Sequence, residues 1–519
     1  MLLSKSDALP RTTVRKQKKA YPGEGYIGVL DLGTTSVRFI IFKLDSTVQA
    51  QAFQPIAQTY PQSGWVEEDL NEIWSAACMV IEGAIDQGNI KADSILALGI
   101  TNQRESVGFW DKDSGKPLAP LIVWQDRRTS RLCKQLKDKG YEQAVREKTG
   151  LTIDPYFSGT KINWMLKNND AVRDAASRGR AVFGTLDSFI IYRLTGSHIT
   201  DYSNASRTLL FNISSLKWDD ELLDIFGVPK NILPEARPSY GHNYFGKTDR
   251  LSPFKASIPI QCVFGDQQAA LFGQKCFYRG DVKSTFGTGS FIMMNSGKEK
   301  VNSKHGLLST IFYSNGRELF YALEGSVYNT GSVFQWLKEG IEIIGDYKDI
   351  EFLASGQDYQ KDLFLVPALT GMGAPYWDPL ARGLLIGITR STSKKQIVRA
   401  AVESIAYRTL DVLNVLERET NLYISSIKID GGVTRNRLFC QVLADITGKE
   451  INKLDLPEIT ALGSMYGAGL SIGLWSSQKD IKQSMGYQKY VSQMEVELRN
   501  NLYSNWQRAV DRAKNWAQE

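Results

Sequence analysis

Histidine and cysteine are scarce in this chain, and the sites they would build are missing with them. Three histidines, His198, His242 and His305, are scattered along 519 residues, which argues against a histidine-based triad or a metal cluster. The five cysteines, Cys78, Cys133, Cys262, Cys276 and Cys440, are odd in number and lack any C-x-x-C spacing. That pattern suits a reducing compartment without structural zinc. No apolar run is long enough to cross a bilayer, so no transmembrane helix is expected. Basic residues form no long run inside the globular region, and the net charge of +6 is modest for the length. Both points argue against nucleic acid as a partner and leave room for small anions. A P-loop is absent as well, since Ser114-Gly115-Lys116 and Ser296-Gly297-Lys298 lack its spacing and its hydroxyl. There is no G-x-S-x-G elbow.

What remains is the composition of a folded chain, with 42% hydrophobic and 23% charged residues. The length predicts roughly two to four domains, and two large ones are the simplest division. Residues 1–25 read as a basic, flexible arm carrying Arg11, Arg15, Lys16, Lys18 and Lys19. Such an arm is either a solvated tail or a targeting segment, with mitochondrial association as the alternative to a cytoplasmic protein. The first domain is expected over 26–274 and the second over 275–519.

The first domain opens with an apolar run from Tyr26, a break at Gly33-Thr34-Thr35-Ser36, and a second apolar run to Phe42. This predicts a strand, a tight turn and an antiparallel strand. Gly33 lets backbone N–H groups approach an anion, the three hydroxyls add short donors, and Arg38 adds positive charge. The turn is therefore either a phosphate cradle or a plain polar hairpin. Asp31 would repel a phosphate directly, so beside one its role would be to bind Mg2+, directly or through water. The second domain repeats the pattern from Val282 through Phe286-Gly287-Thr288-Gly289 to Met294. Ile427 to Asn436 then gives a strand, the glycine pair Gly431-Gly432 and a helix start, which leaves room for a flat ring against backbone. Helices are predicted over 326–344, 394–418 and 437–447, the last capped by Gly448.

Polar residues gather where apolar strands end, at Thr101-Asn102-Gln103-Arg104-Glu105 and at Gly265-Asp266-Gln267. In α/β proteins ligands bind at such ends. Asp266 can take a proton from a hydroxyl that a neighbouring amide orients, or it can cap the helix that follows. Arg104 with Glu105 offers a donor beside an acceptor, suited to a polyol, or forms a surface salt bridge. Trp124, Tyr156 and Phe291 can wall a pocket or fill a core.

Taken together with Ile153-Asp154-Pro155-Tyr156-Phe157-Ser158-Gly159-Thr160, Asn204-Ala205-Ser206-Arg207-Thr208 and Gly373-Ala374-Pro375-Tyr376-Trp377-Asp378-Pro379, these segments resemble the FGGY carbohydrate kinases, and among them those acting on glycerol. The resemblance runs in collinear order from Tyr26 to Trp516. It implies an α/β fold of two ribonuclease H-like domains, of the actin, hexokinase and Hsp70 type, with an active-site cleft between them. It implies ATP and glycerol as substrates, Mg2+ as cofactor, and a homodimer or homotetramer. By the same resemblance Asp266 is the general base, and Arg104, Glu105, Tyr156, Asp266 and Gln267 bind glycerol, with Trp124 and Phe291 along its carbons. Thr34, Thr35, Ser36, Arg38, Gly287, Thr288, Gly331, Gln335, Gly432 and Asn436 surround the nucleotide, and Asp31 holds the metal. Arg237 to Ser252 departs from the glycine- and arginine-rich loop tied to sugar bisphosphate inhibition in some members. Two other readings compete: a different sugar or polyol kinase of the family, and a non-catalytic ATP-binding protein like actin or Hsp70.

Overall fold

The structure, a computed structural model, describes residues 25–242, 244–454, 458–482 and 486–518. The basic arm expected over residues 1–25 lies outside them except for Gly25. Among the described residues no helix is long and apolar enough to cross a membrane.

The first sheet grows from the opening hairpin. β1 (Tyr26–Leu32) pairs antiparallel with β2 (Ser36–Lys43), and β2 with the edge strand β3 (Val48–Pro55). Helix α1 (Leu70–Gly88) starts where the Asp69 carboxylate accepts from Asn71 N–H at 2.8 Å. It buries Ile73, Ala77, Val80, Ile81 and Ala84 against β2 and β3. Each large aliphatic side chain removed from water in this way stabilises the fold by about 1.5–3 kcal/mol. The crossover returns in β4 (Ile95–Asn102), parallel to β1. An insertion that includes α2 (Ser158–Asn168) follows, and β5 (Ile260–Gly265) then lies parallel to β4. Helix α3 (Asp266–Gly273) begins at once, with Gly265 at its N-cap. The order across the sheet is β5-β4-β1-β2-β3.

The second half repeats this plan. β6 (Val282–Phe286) and β7 (Ser290–Gly297) form the hairpin, β8 (Leu308–Ser314) is an edge strand, and β9 (Leu319–Val327) pairs antiparallel with β7 and β8. After a short helix α4 (Gly331–Gln335) and the long α5 (Lys394–Thr420), β10 (Ser426–Asp430) runs parallel to β6. Helix α6 (Arg437–Thr447) leads to β11 (Glu450–Leu454), parallel to β10, and β12 (Tyr487–Tyr490) closes the edge. Reading β9-β7-β6-β10-β11 against β3-β2-β1-β4-β5 gives the same order and the same strand directions. The echo between the two glycine and threonine turns is thus an echo of whole sheets. This is a two-domain α/β architecture of the ribonuclease H-like kind, as expected.

The predicted helix over 326–344 is corrected. Ser326 and Val327 belong to β9, paired with Phe291 and Ser290, and helical structure begins only at Gly331. Gly325 also packs against the Val412 side chain with no room for a Cβ. Pairing and packing outweigh local helix preference here. Gly448 caps α6 in the left-handed conformation, φ 67°, at the predicted residue.

Helix α7 (Ile459–Ile472) comes late in the chain yet packs on β1, β4, β5 and α3 of the first half. The α3–α7 crossing is close enough that a Cβ at Gly463 would sit 1.9 Å from the Ala269 carbonyl. Glycine is required there.

Candidate active site

Two cavities meet at the turn between β6 and β7. The smaller, about 290 Å³, is polar at one end and aromatic at the other, and Gly287 and Thr288 form part of its wall. The larger, about 630 Å³, is lined by the same two residues and reaches Gly331, Gln335, Gly432 and Asn436. Arg104, Glu105, Trp124, Tyr156, Asp266, Gln267 and Phe291 all line the smaller cavity, together with Thr34 and Thr35. Residues expected around a polyol and residues expected around a nucleotide therefore border two adjoining spaces. Asp31, Ser36 and Arg38 line neither.

At the polar end, Arg104 and Glu105 are buried, which removes the surface salt bridge as an account of them. Arg104 Nη1 donates to Glu324 Oε2 at 2.6 Å and to Gln268 Oε1 at 3.2 Å. Nη2 donates to Glu324 Oε1 at 3.1 Å and to the Tyr156 hydroxyl at 3.3 Å. The remaining donor, Nε–H, lies 3.4 Å from Asp266 Oδ1. Glu105 is in the left-handed region, φ 62°, a strain of about 1–3 kcal/mol. The turn brings its carboxylate to Arg207 Nε at 2.6 Å. Arg207 Nη2 also donates to Glu324 at 2.9 Å, so two buried arginines share two buried carboxylates. Burial pushes Glu324 up, but Arg104 and Arg207 more than reverse that and bring it down to about 2.

Asp266 is not the helix cap, because Gly265 holds that position. Its side chain is 31% exposed, whereas that of Arg104 is 2% exposed, so a carboxylate faces the cavity from an otherwise sealed ion-pair network. Asp266 Oδ1 accepts from the Gln267 backbone N–H at 2.7 Å, and Oδ2 accepts from Gln267 Nε2 at 3.2 Å. The aromatic end is built from Trp124, whose ring meets Tyr156 at 5.7 Å and Phe291 at 6.0 Å, both edge to face. Trp124 Nε1 donates to Thr34 Oγ1 at 3.1 Å, which ties this wall to the first hairpin turn.

In the larger cavity the β10–α6 junction supplies a floor of bare backbone at Gly432, with Val433, Phe334 and Ile350 around it. Asn436 borders it while its side chain caps α6 by accepting from Phe439 N–H at 2.9 Å. Gly331 N–H donates to the Gly287 carbonyl at 2.9 Å, and Thr330 N–H donates to that of Thr288 at 2.9 Å, pinning the shared turn.

Asp31 sits opposite Arg38 in the first hairpin, and Arg38 Nη1 reaches Glu458 Oε2 at 3.2 Å. Burial raises Asp31 to about 7; Arg38 opposes this, while Glu458 and Asp266 add to it. Among the described residues no group of three or more His, Cys, Asp or Glu could hold a metal by itself. A single half-buried carboxylate burdened by negative neighbours fits a hydrated divalent ion whose other ligands come from a substrate.

Three charged residues at this site carried no role in the sequence reading: Lys283, Glu324 and Arg207. The visible signal for the first two is a lone charge inside an apolar strand run, at Val282-Lys283-Ser284 and Ala322-Leu323-Glu324.

Comparison with known proteins adds to this geometry. The sequence profile of the FGGY family of carbohydrate kinases, N-terminal domain, matches residues 26–273. The C-terminal domain profile of the same family matches residues 282–472. The chain is 46% identical over 499 residues to a glycerol kinase of Petrotoga mobilis, covering 96% of this chain and 100% of that one. It is 44% identical over 508 residues to a glycerol kinase of Haloferax volcanii, covering 96% and 99%. Among solved structures, that of Plasmodium falciparum glycerol kinase with ADP superposes with a TM-score of 0.88 at 32% identity, covering 94% of this chain and 98% of that one.

Proposed function

The chain belongs to the FGGY family of carbohydrate kinases, and from that premise we propose that it transfers the γ-phosphoryl group of ATP to a terminal hydroxyl of glycerol, giving sn-glycerol 3-phosphate and ADP. The observation that supports this reading best is that the two cavities share Gly287 and Thr288, with Asp266 lining the smaller and not the larger. The small space takes a triol, and the larger takes a nucleotide whose phosphates reach the shared turn.

A primary hydroxyl is a weak nucleophile at neutral pH. In this reading Asp266 orients the hydroxyl and accepts its proton as the oxygen approaches phosphorus from the side opposite the ADP leaving group. Glu105 and the Tyr156 hydroxyl hold the other hydroxyls, with Arg104 Nε–H on the Asp266 side, and the edges of Trp124 and Phe291 line the carbon chain. The turns at Thr34–Ser36 and Gly287–Thr288, with Arg38, meet the phosphate charge. Gly331, Gln335, Gly432 and Asn436 receive the nucleoside, whose ring lies on the bare backbone at Gly432. Asp31 would hold Mg2+ through water, and the ion would supply charge neutralisation at the phosphates. On this reading the first domain is 26–274 and the second 275–519, although α7 of the latter packs on the first domain's sheet and on α3.

The test is a coupled ADP-release assay with glycerol, xylulose and gluconate in parallel. Glycerol is expected to be turned over with the highest kcat/KM. A higher value for either sugar would replace the proposal by another kinase of the family, and no ADP release from any of them would favour a non-catalytic ATP-binding protein. Asp266→Asn is expected to abolish turnover while nucleotide binding persists.

A further inference from the structure

Lys283 lies mid-strand in β6 with its side chain wholly enclosed. An ammonium in such a place is costly unless its protons are used. Two acceptors are in reach: Gln267 Oε1 and, at 2.9 Å, Thr285 Oγ1. The charged groups facing it are Asp430 at the end of β10, Asp266 on α3, Arg104 after β4 and Glu324 on β9. Burial pulls Lys283 down to about 8; Asp430 and Asp266 resist this, and Arg104 adds to it.

An ammonium has three donors and no acceptor, so only the oxygen of the Gln267 amide can face it. The amide nitrogen is therefore turned away from Lys283, and it donates to Asp266 Oδ2. The lysine belongs to the second sheet, whereas Gln267 and Asp266 belong to the helix that follows the first. We propose that Lys283 is a positioning residue for the transfer reaction: by holding the oxygen end of Gln267 it aims the amide N–H at Asp266, fixing the orientation in which that carboxylate faces the small cavity. This rests on Asp266 being the base. Lys283 itself neither touches substrate nor takes up the substrate proton. Once neutral, the amine can also accept a hydrogen bond, and the amide is free to turn over. The device therefore works below about pH 8 and fails above it.

The experiment is steady-state kinetics of the full chain with glycerol and magnesium ATP from about pH 6 to about pH 10, comparing wild type with Lys283→Met and Lys283→Arg. The wild-type kcat is expected to fall as pH rises through about 8. Lys283→Met is expected to lower kcat at neutral pH by about 10- to 100-fold, with KM for ATP unchanged and the alkaline fall gone. Lys283→Arg, which stays charged, is expected to retain more activity and to move the fall to higher pH. A wild-type kcat in Lys283→Met, or an unshifted alkaline fall in either variant, overturns the proposal. Should Lys283→Met not fold, the position of the fall in Lys283→Arg decides alone. The base assignment is judged separately: turnover by Asp266→Asn removes both ideas, whereas an inactive Asp266→Asn beside two wild-type-like Lys283 variants removes only this one.

Discussion

Both Nη atoms of Arg104 end on the carboxylate of Glu324, at 2.6 and 3.1 Å, although the two residues stand 220 positions apart and belong to opposite halves of the molecule. A side chain of the second sheet thus sets the guanidinium that borders the small cavity. Glu324→Gln would leave Arg104 and Arg207 buried without their shared charge. The expected loss is about 3–5 kcal/mol of stability, read from the urea midpoint, with KM for glycerol raised more than KM for ATP. An unchanged midpoint would mean that the pair adds nothing to stability.

The same carboxylate gives the fold an acid-sensitive element. Glu324 is held at about 2 in the folded chain, below its ordinary 4.5. Its contribution is therefore fully present above about 4.5 and is lost as pH falls toward 2, a change on the order of 3 kcal/mol. Asp187 and Glu403, which burial raises to about 7, act in the opposite direction, each weakening the fold as pH rises toward that value. The difference in unfolding free energy between wild type and Glu324→Gln isolates the first effect. That difference is expected to be flat above pH 5 or so and to shrink below it; a constant difference would contradict the assignment.

Much of this was legible in the sequence where the cause is local. The two hairpins were readable because an apolar run, a glycine and threonine break and a second apolar run need no distant partner to be recognised. The same holds for α6, whose stop is written in Gly448. Strand β3 carries little local signal, because Gln49 and Gln51 alternate with Ala50 and Ala52 on an edge, where little is buried. The misplaced helix at 326–344 followed from reading Ser326 and Val327 without their partners on β7. At the site, Asp266 and Arg104 stood out by their places after strands. The partners that hold them, Glu324, Arg207 and Lys283, are separated in sequence from what they hold, and only the paired sheets bring them together. Arg207 was part of a recognisable segment, yet nothing local distinguishes a buried arginine from a solvated one.

The adjoining glycines of the β10–α6 junction should separate function from fold. Gly431 has φ 98°, and a Cβ there would lie 2.4 Å from the Phe286 carbonyl. Gly431→Ala is therefore expected to destabilise the chain by about 1–3 kcal/mol or more. At Gly432 a Cβ would meet nothing within 4 Å, and the side chain would enter the larger cavity. Gly432→Val is expected to melt like wild type while KM for ATP rises about tenfold, a loss of about 1.4 kcal/mol in binding, with KM for glycerol unmoved. Equal melting losses in both variants would show that the second glycine is also structural.

Asp31 should report on the metal without disturbing the polyol. Its backbone is fixed by pairing with Arg38 on one side and Thr101 on the other, and Asn preserves its shape, so Asp31→Asn is expected to fold normally. What it removes is the negative charge nearest the place where hydrated Mg2+ would meet nucleotide phosphates. The half-saturating Mg2+ concentration in the ADP-release assay should rise by about tenfold or more, since one lost charge-assisted contact of about 1.5–3 kcal/mol corresponds to that range. Glycerol binding, followed by protection against thermal unfolding without nucleotide, should be unaffected, because the small cavity is lined by other side chains. A variant with wild-type Mg2+ dependence would assign the ion elsewhere, and a variant that loses glycerol protection would make Asp31 part of the polyol site instead.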